Sequence, residues 1–174
     1  GKSVQVSISL ATFVPKPHTP FQWMAQDMLS EVRRKQQLLV ESIRTKKIKI
    51  SWHESQTSLL EAVFARGDRR LSAVLHCAVQ LGCRFDSWGE YFNMALWEQA
   101  FADCGLDMRF YANRQREYDE ILPWDHLDYG VTKRFLQKEN ELAKKAATTP
   151  NCREKCAGCG ANKLFKGGRR CAGC

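Results

Sequence analysis

The 174 residues, 44% hydrophobic and 26% charged, suffice for one domain with a small appendage and exclude a disordered or collagen-like chain. No apolar run is long enough to cross a bilayer, and a core of this size needs no disulfides. The formal charge of +8 is lopsided: between Pro150 and Cys174 six Lys and Arg face one acidic residue, and the same stretch holds five of the eight cysteines. The basic character therefore belongs mostly to a Cys-rich tail.

Gly1-Lys2-Ser3 opens straight into a strand pattern, with no basic stretch, apolar run and cleavage site of a secretory leader, so the expected location is the cytoplasm. Val4 to Leu10 alternate apolar and polar residues, a half-buried strand signal. Pro15, Pro17 and Pro20 end that ladder. Thr19 as N-cap, Pro20 at the first helical position and Gln22 closing a capping box predict a helix from there, with Met24, Met28, Val32, Leu39 and Ile43 on one face. Lys47 to Trp52 alternate again as a second strand.

Helices dominate the rest. Ser58 with Glu61 reads as a second capping box, and Gly67-Asp68 breaks that helix. A further helix carries Leu71, Val74, Leu75 and Ala78 to Gly82. Ser87 with Glu90 predicts a third capped helix through Phe92, Leu96 and Phe101 to Gly105. Leu122 to Asp125 read as a loop, a last helix runs from about Thr132 to Ala147, and Thr148 to Asn151 form a linker. Strand, helix, strand, then helices indicate an α/β unit with a helical extension. Two parallel strands make no stable sheet alone, and the first begins almost at residue 1, so the chain is expected to be the C-terminal part of something larger.

The tail carries the clearest chemistry. Cys156/Cys159 and Cys171/Cys174 are two CxxC knuckles separated by eleven residues, a set of four soft ligands suited to tetrahedral zinc. The Ala-Gly and Gly residues between them leave room for backbone amides to turn toward sulfur. Cys152, Cys156 and Cys159 also form CxxxCxxC, the spacing with which radical S-adenosylmethionine enzymes hold a [4Fe–4S] cluster. Zinc, an iron–sulfur cluster and reduced free thiols are the alternatives, with disulfides the least expected state.

Elsewhere the expectations are structural. Cys77, Cys83 and Cys104 sit in or beside apolar helices and read as small core residues. His18, His53, His76 and His126 lack ligand spacing. Arg66-Gly67-Asp68 matches an adhesion tripeptide inside a helical stretch, where that role is not expected. Trp88, Tyr91, Phe92, Trp97 and Phe101 read as a core stripe. Asp119, Glu120, Asp125 and Asp128 read as caps and solvated loops, since nothing in the sequence pairs them. There is no P-loop, dinucleotide fingerprint or nucleophile elbow, hence no complete active site.

Several segments taken together carry a likeness: Phe13-Val14-Pro15-Lys16-Pro17-His18-Thr19-Pro20-Phe21-Gln22-Trp23, Leu60-Glu61, Ala65 to Leu71, Phe85-Asp86-Ser87-Trp88, Leu122 to Asp128 with Gly130-Val131, and Cys152-Arg153 with Cys156 and Cys159-Gly160. In combination, and over nearly the whole chain, they resemble the C-terminal portion of a family of cobalamin-binding-type radical-S-adenosylmethionine (radical-SAM) proteins, largely of unassigned substrate. The resemblance implies an α/β fold in three parts. Residues 1–55 would be the closing strands and helix of a partial (β/α) barrel, 56–147 a helical extension, and 148–174 a linker and Cys-rich metal-binding tail. It implies that [4Fe–4S], S-adenosylmethionine and any cobalamin belong to the preceding part of the full-length protein, the expected partner. This chain would then wall the substrate side without catalysing alone, with Lys16, His18, Gln22 and Trp23 nearest a substrate of unknown identity. The departure is in the tail: Asn162 stands where family tails often place another Cys soon after the Cys-Gly, leaving Cys171 and Cys174 as stand-in ligands.

Two other readings compete. The basic tail could be a zinc-knuckle module gripping nucleic acid on a helical scaffold, although Phe165 is its one aromatic for stacking bases. Or the metal could simply pin the C-terminus. No membrane association is expected.

Overall fold

The alternation near the start of the chain forms a strand. In the computed structural model, which describes residues 4–164, β1 (Val6–Leu10) pairs in parallel with β2 (Ile48–Trp52), Val6 opposite Ile48 through Leu10 opposite Trp52. The connection between them holds α1 (Leu29–Ser42). Then follow α2 (Ser55–Ala65), α3 (Leu71–Gln80), α4 (Met94–Asp103), α5 (Met108–Ala112) and α6 (Lys133–Lys144), with a short 3-10 turn at Ala161–Lys163. The fold is mixed α/β, mostly helical, with a two-stranded parallel sheet. No helix among the described residues is long and apolar enough to cross a membrane.

The chain divides into two compact units: one comprises the chain up to Val14 with Ala25–Arg114, the other Pro15–Met24 with the chain from Gln115 onward. The core of the first gathers Leu59 and Val63 of α2, Leu71, Val74 and Ala78 of α3, Trp97 and Phe101 of α4, and Tyr111 of α5. Arg66, at the end of α2, is fully buried there. Its guanidinium donates from Nη1 to the Ala112 carbonyl (2.6 Å) and from Nη2 to the Arg114 carbonyl (2.9 Å), satisfying carbonyls at the end of α5. Burial leaves the tripeptide it begins unable to present an adhesion motif. The core of the second unit is Trp23, Leu122, Trp124 and Leu136, with Tyr118, Tyr129, Val131 and Phe135 packed around them.

Three helix starts differ from the sequence expectation, each for a local reason. The helix expected from Pro20 begins at Leu29 instead. The Thr19 hydroxyl donates to the Lys16 carbonyl (2.8 Å), and residues 19–24 make successive turns, Gln22 N–H to Thr19 O and Met24 N–H to Phe21 O. A side chain spent on its own loop cannot cap a helix. On α1 itself only Val32 is buried, while Leu39 is exposed. α2 begins before Ser58, capped by Glu54, whose side chain accepts the Gln56 N–H. α4 begins after Ser87, with Asn93 Oδ1 accepting the Ala95 N–H. Residues 85–92 form turns, so Trp88 and Tyr91 lie exposed, while Trp97 and Phe101 are core and Phe92 is half-buried. Among the expected core thiols Cys83 is buried, and Cys77 and Cys104 are half-buried. Gly82, at φ +103°, ends α3 where a Cβ would be strained, as its position predicts. Thr132 caps α6, its Oγ1 accepting the Phe135 N–H at 3.2 Å.

Candidate functional site

The second unit contains a cavity of about 330 Å³, and two residues of the Pro-rich loop, His18 and Gln22, help to line it. Gln22 is 2% exposed. Its Oε1 accepts the His18 backbone N–H (3.0 Å) and Trp124 Nε1–H (2.7 Å). Two donors on one oxygen fix the amide's orientation and leave Nε2 as the free donor. His18 adopts φ +58°, a left-handed conformation that costs on the order of 1 kcal/mol outside glycine. Neighbouring groups hold it there: its ring packs 4.2 Å from that of Tyr129, and the Tyr129 hydroxyl donates to the His18 carbonyl at 3.2 Å. Burial pushes the Tyr129 phenol above its ordinary range.

The opposite wall comes from Asp125 to Leu136. Asp125 Oδ2 accepts the Leu122 N–H (2.9 Å) and Lys133 Nζ (2.7 Å), and Lys133 Nζ also donates to the Glu120 carbonyl (2.9 Å). Asp128 Oδ1 accepts the Gly130 N–H at 2.8 Å, which shapes the turn entering α6. Lys133 and Thr132 place the first turn of α6 on the same wall. Gln22 and Lys133 thus bring donors to the lining, and Asp125 and Asp128 bring carboxylates. Such an arrangement can hold and orient a small polar ligand.

Of the four residues expected nearest substrate, His18 and Gln22 line this cavity. Trp23 does not: it is 1% exposed in the core, edge-to-face on Tyr118 with centroids 4.9 Å apart. Lys16 is exposed and lies away from the lining. Asp125, Asp128, Tyr129 and Lys133, expected as ordinary loop and helix residues or not singled out, are the additions. Near them, the Tyr118 hydroxyl lies 2.5 Å from both Asn140 Oδ1 and Glu141 Oε1. Burial, then the Glu141 carboxylate, push the Tyr118 phenol up, while the Lys144 ammonium and the Tyr118 hydroxyl pull the Glu141 carboxyl down.

The cysteine tail is described as far as its first knuckle; Cys171 and Cys174 lie outside the described residues. Cys152 is exposed, Cys159 is half-buried, and Cys156 is disulfide-bonded, the state least expected of the tail. The Gly158 N–H donates to Cys156 Sγ at 3.4 Å, with Gly158 at φ +72° and Gly160 at φ +98°. An amide-to-sulfur turn of this kind is one that metal-binding knuckles use to steady a thiolate. The Cys159 carbonyl accepts the Thr132 N–H at 2.9 Å, pinning the knuckle beside the start of α6. Among the described residues no group of three or more His, Cys, Asp or Glu side chains stands together as a metal site. No protein-family model, curated protein or solved structure matches this chain.

Proposed function

We propose that this chain is the substrate-side, C-terminal segment of a radical-SAM enzyme, inactive by itself, with a metal-binding tail. The observation that carries the reading is the sheet. β1 and β2 run parallel, and among the described residues neither has another strand beside it. Val6 is 46% and Trp52 45% exposed. Parallel strands belong to larger sheets covered on both faces, so an isolated parallel pair calls for neighbours. In barrel enzymes the loops that leave the C-terminal ends of strands build the active site. The loop that follows β1 in the chain is the one carrying His18 and Gln22 into the cavity. The motifs of that loop and of residues 122–131 support the same assignment by resemblance.

In this reading the preceding part of the polypeptide would hold the cluster and S-adenosylmethionine, which would supply radical chemistry there. This chain's own residues bind and orient. Gln22 presents a fixed donor, Lys133 a cation tethered by Asp125, and the tilted His18–Tyr129 ring pair an aromatic part of the wall. In the reduced tail, Cys156, Cys159, Cys171 and Cys174 would hold zinc, or Cys152, Cys156 and Cys159 an iron–sulfur cluster.

The test is anaerobic reconstitution with iron, sulfide and S-adenosylmethionine. A polypeptide carrying barrel strands and a CxxxCxxC loop ahead of residue 1 should form 5′-deoxyadenosine, and the 174-residue chain alone should not. Formation by the chain alone, above a control truncated before Cys152, overturns the proposal.

A further inference from the structure

The cavity's free hydrogen-bonding groups are unevenly distributed. On the buried side, Gln22 Nε2 is a donor with no partner among the described residues, because both hydrogen bonds of the side chain end on Oε1. Lys133 Nζ has three protons and spends two, on Asp125 Oδ2 and the Glu120 carbonyl. The buried Gln22 donor, with the half-buried Lys133 ammonium as a second donor on the same lining, calls for an acceptor. On the exposed side, Asp128 uses Oδ1 for the Gly130 N–H and leaves Oδ2 for a donor. Val131 and Leu136 supply apolar wall between them.

The lining charge decides between ligand classes. Lys133 is balanced by Asp125, and Asp128 adds a further negative charge, so a free phosphate would meet net repulsion. A simple amine would leave the Gln22 donor unpaired in a nearly dry position, which is costly. A ligand with a carboxylate at one end and an ammonium at the other satisfies both sides.

We infer that this cavity binds an aliphatic α-amino acid or a close analogue, its carboxylate on Gln22 Nε2 and Lys133 Nζ and its ammonium on Asp128. The volume of about 330 Å³ is at the small end for ligand sites and suits a single residue-sized molecule. The inference deepens the substrate-side reading by naming a substrate class, but its test reads binding by this chain alone, independently of any S-adenosylmethionine cleavage.

The probes are L-leucine, 4-methylpentanoate, 3-methylbutylamine and inorganic phosphate, titrated into the full chain and followed by calorimetry or ligand-observed NMR. L-leucine should bind saturably and more tightly than the other three. Gln22→Glu keeps an oxygen for His18 and Trp124 but removes the donor, so L-leucine and 4-methylpentanoate should each bind at least about tenfold more weakly. Asp128→Asn, on the exposed rim, keeps the bond to Gly130. It should weaken L-leucine severalfold while leaving 4-methylpentanoate unchanged, which separates a specific loss from misfolding. Phosphate or the amine binding as tightly as L-leucine, unchanged L-leucine binding in both variants, or no saturation below about 10 mM overturns the inference.

Discussion

Arg66→Met removes a buried guanidinium that holds two backbone carbonyls, and its cost can be worked from the structure. The two bonds, 2.6 Å to Ala112 O and 2.9 Å to Arg114 O, each involve a charged donor, worth about 1.5–3 kcal/mol apiece. The Ala112 carbonyl keeps its bond from the Gln26 N–H (2.9 Å), and the methionine stem replaces part of the lost packing. The net loss should therefore fall near the lower end, about 3 kcal/mol. For a chain of this length that lowers Tm by about 6–12 °C. Arg66→Lys keeps the charge but loses the fork that reaches both carbonyls, so it should cost about half as much. Guanidinium unfolding followed by tryptophan fluorescence measures both variants. A loss below about 1 kcal/mol for Arg66→Met would refute the claim that this side chain ties α2 to the end of α5.

Iodoacetamide should label exposed Cys152 well before Cys77 and Cys83: burial followed by the Asp103 carboxylate raises the Cys77 thiol, and burial followed by Asp86 raises Cys83. Peptide mapping at short reaction times checks this, and equal rates would contradict it. Tyr118 and Tyr129 should ionise later than an unperturbed tyrosine in a spectrophotometric titration. Because their folded values are raised, the stability they contribute is complete below the ordinary tyrosine value of about 10 and is lost as pH rises beyond it. A denaturation midpoint that increased above that pH would contradict the sign. After reduction, the chain should bind one zinc per molecule, lost in Cys171→Ser and kept in Cys152→Ser. Brown protein with acid-labile sulfide that depends on Cys152 would instead mean an iron–sulfur site.

Which features were legible in the sequence follows from the range of the interactions behind them. The ends of α3 at Gly82 and the start of α6 at Thr132 are set within a turn of chain, and local pattern was enough. Thr19 and Ser87 carry the same chemistry as true caps, but Thr19 is spent on the Lys16 carbonyl, and turns occupy residues 85–92. The helical spacing of Trp88 and Tyr91 consequently meant nothing. α5 is five residues long, too short for periodicity to register. In the candidate site, His18 and Gln22 were expected only from the resemblance of the Pro15–Trp23 loop; composition and periodicity do not single them out. Trp23, next in sequence to Gln22, points into the core because neighbouring residues of a turn face different ways. Tyr129 and Trp124 reach the loop across 111 and 102 residues, a separation that no local signal reports.

The central claim is that this segment shapes a substrate site and does not generate the radical. It is tested most directly by 5′-deoxyadenosine formation in the longer polypeptide after Cys152, Cys156 and Cys159 are all changed to Ala. The account predicts that S-adenosylmethionine cleavage survives, because the proposal assigns the responsible cluster to a part ahead of β1. Its abolition, together with cleavage by the unmodified 174-residue chain alone, would place the working cluster in the tail and contradict the account.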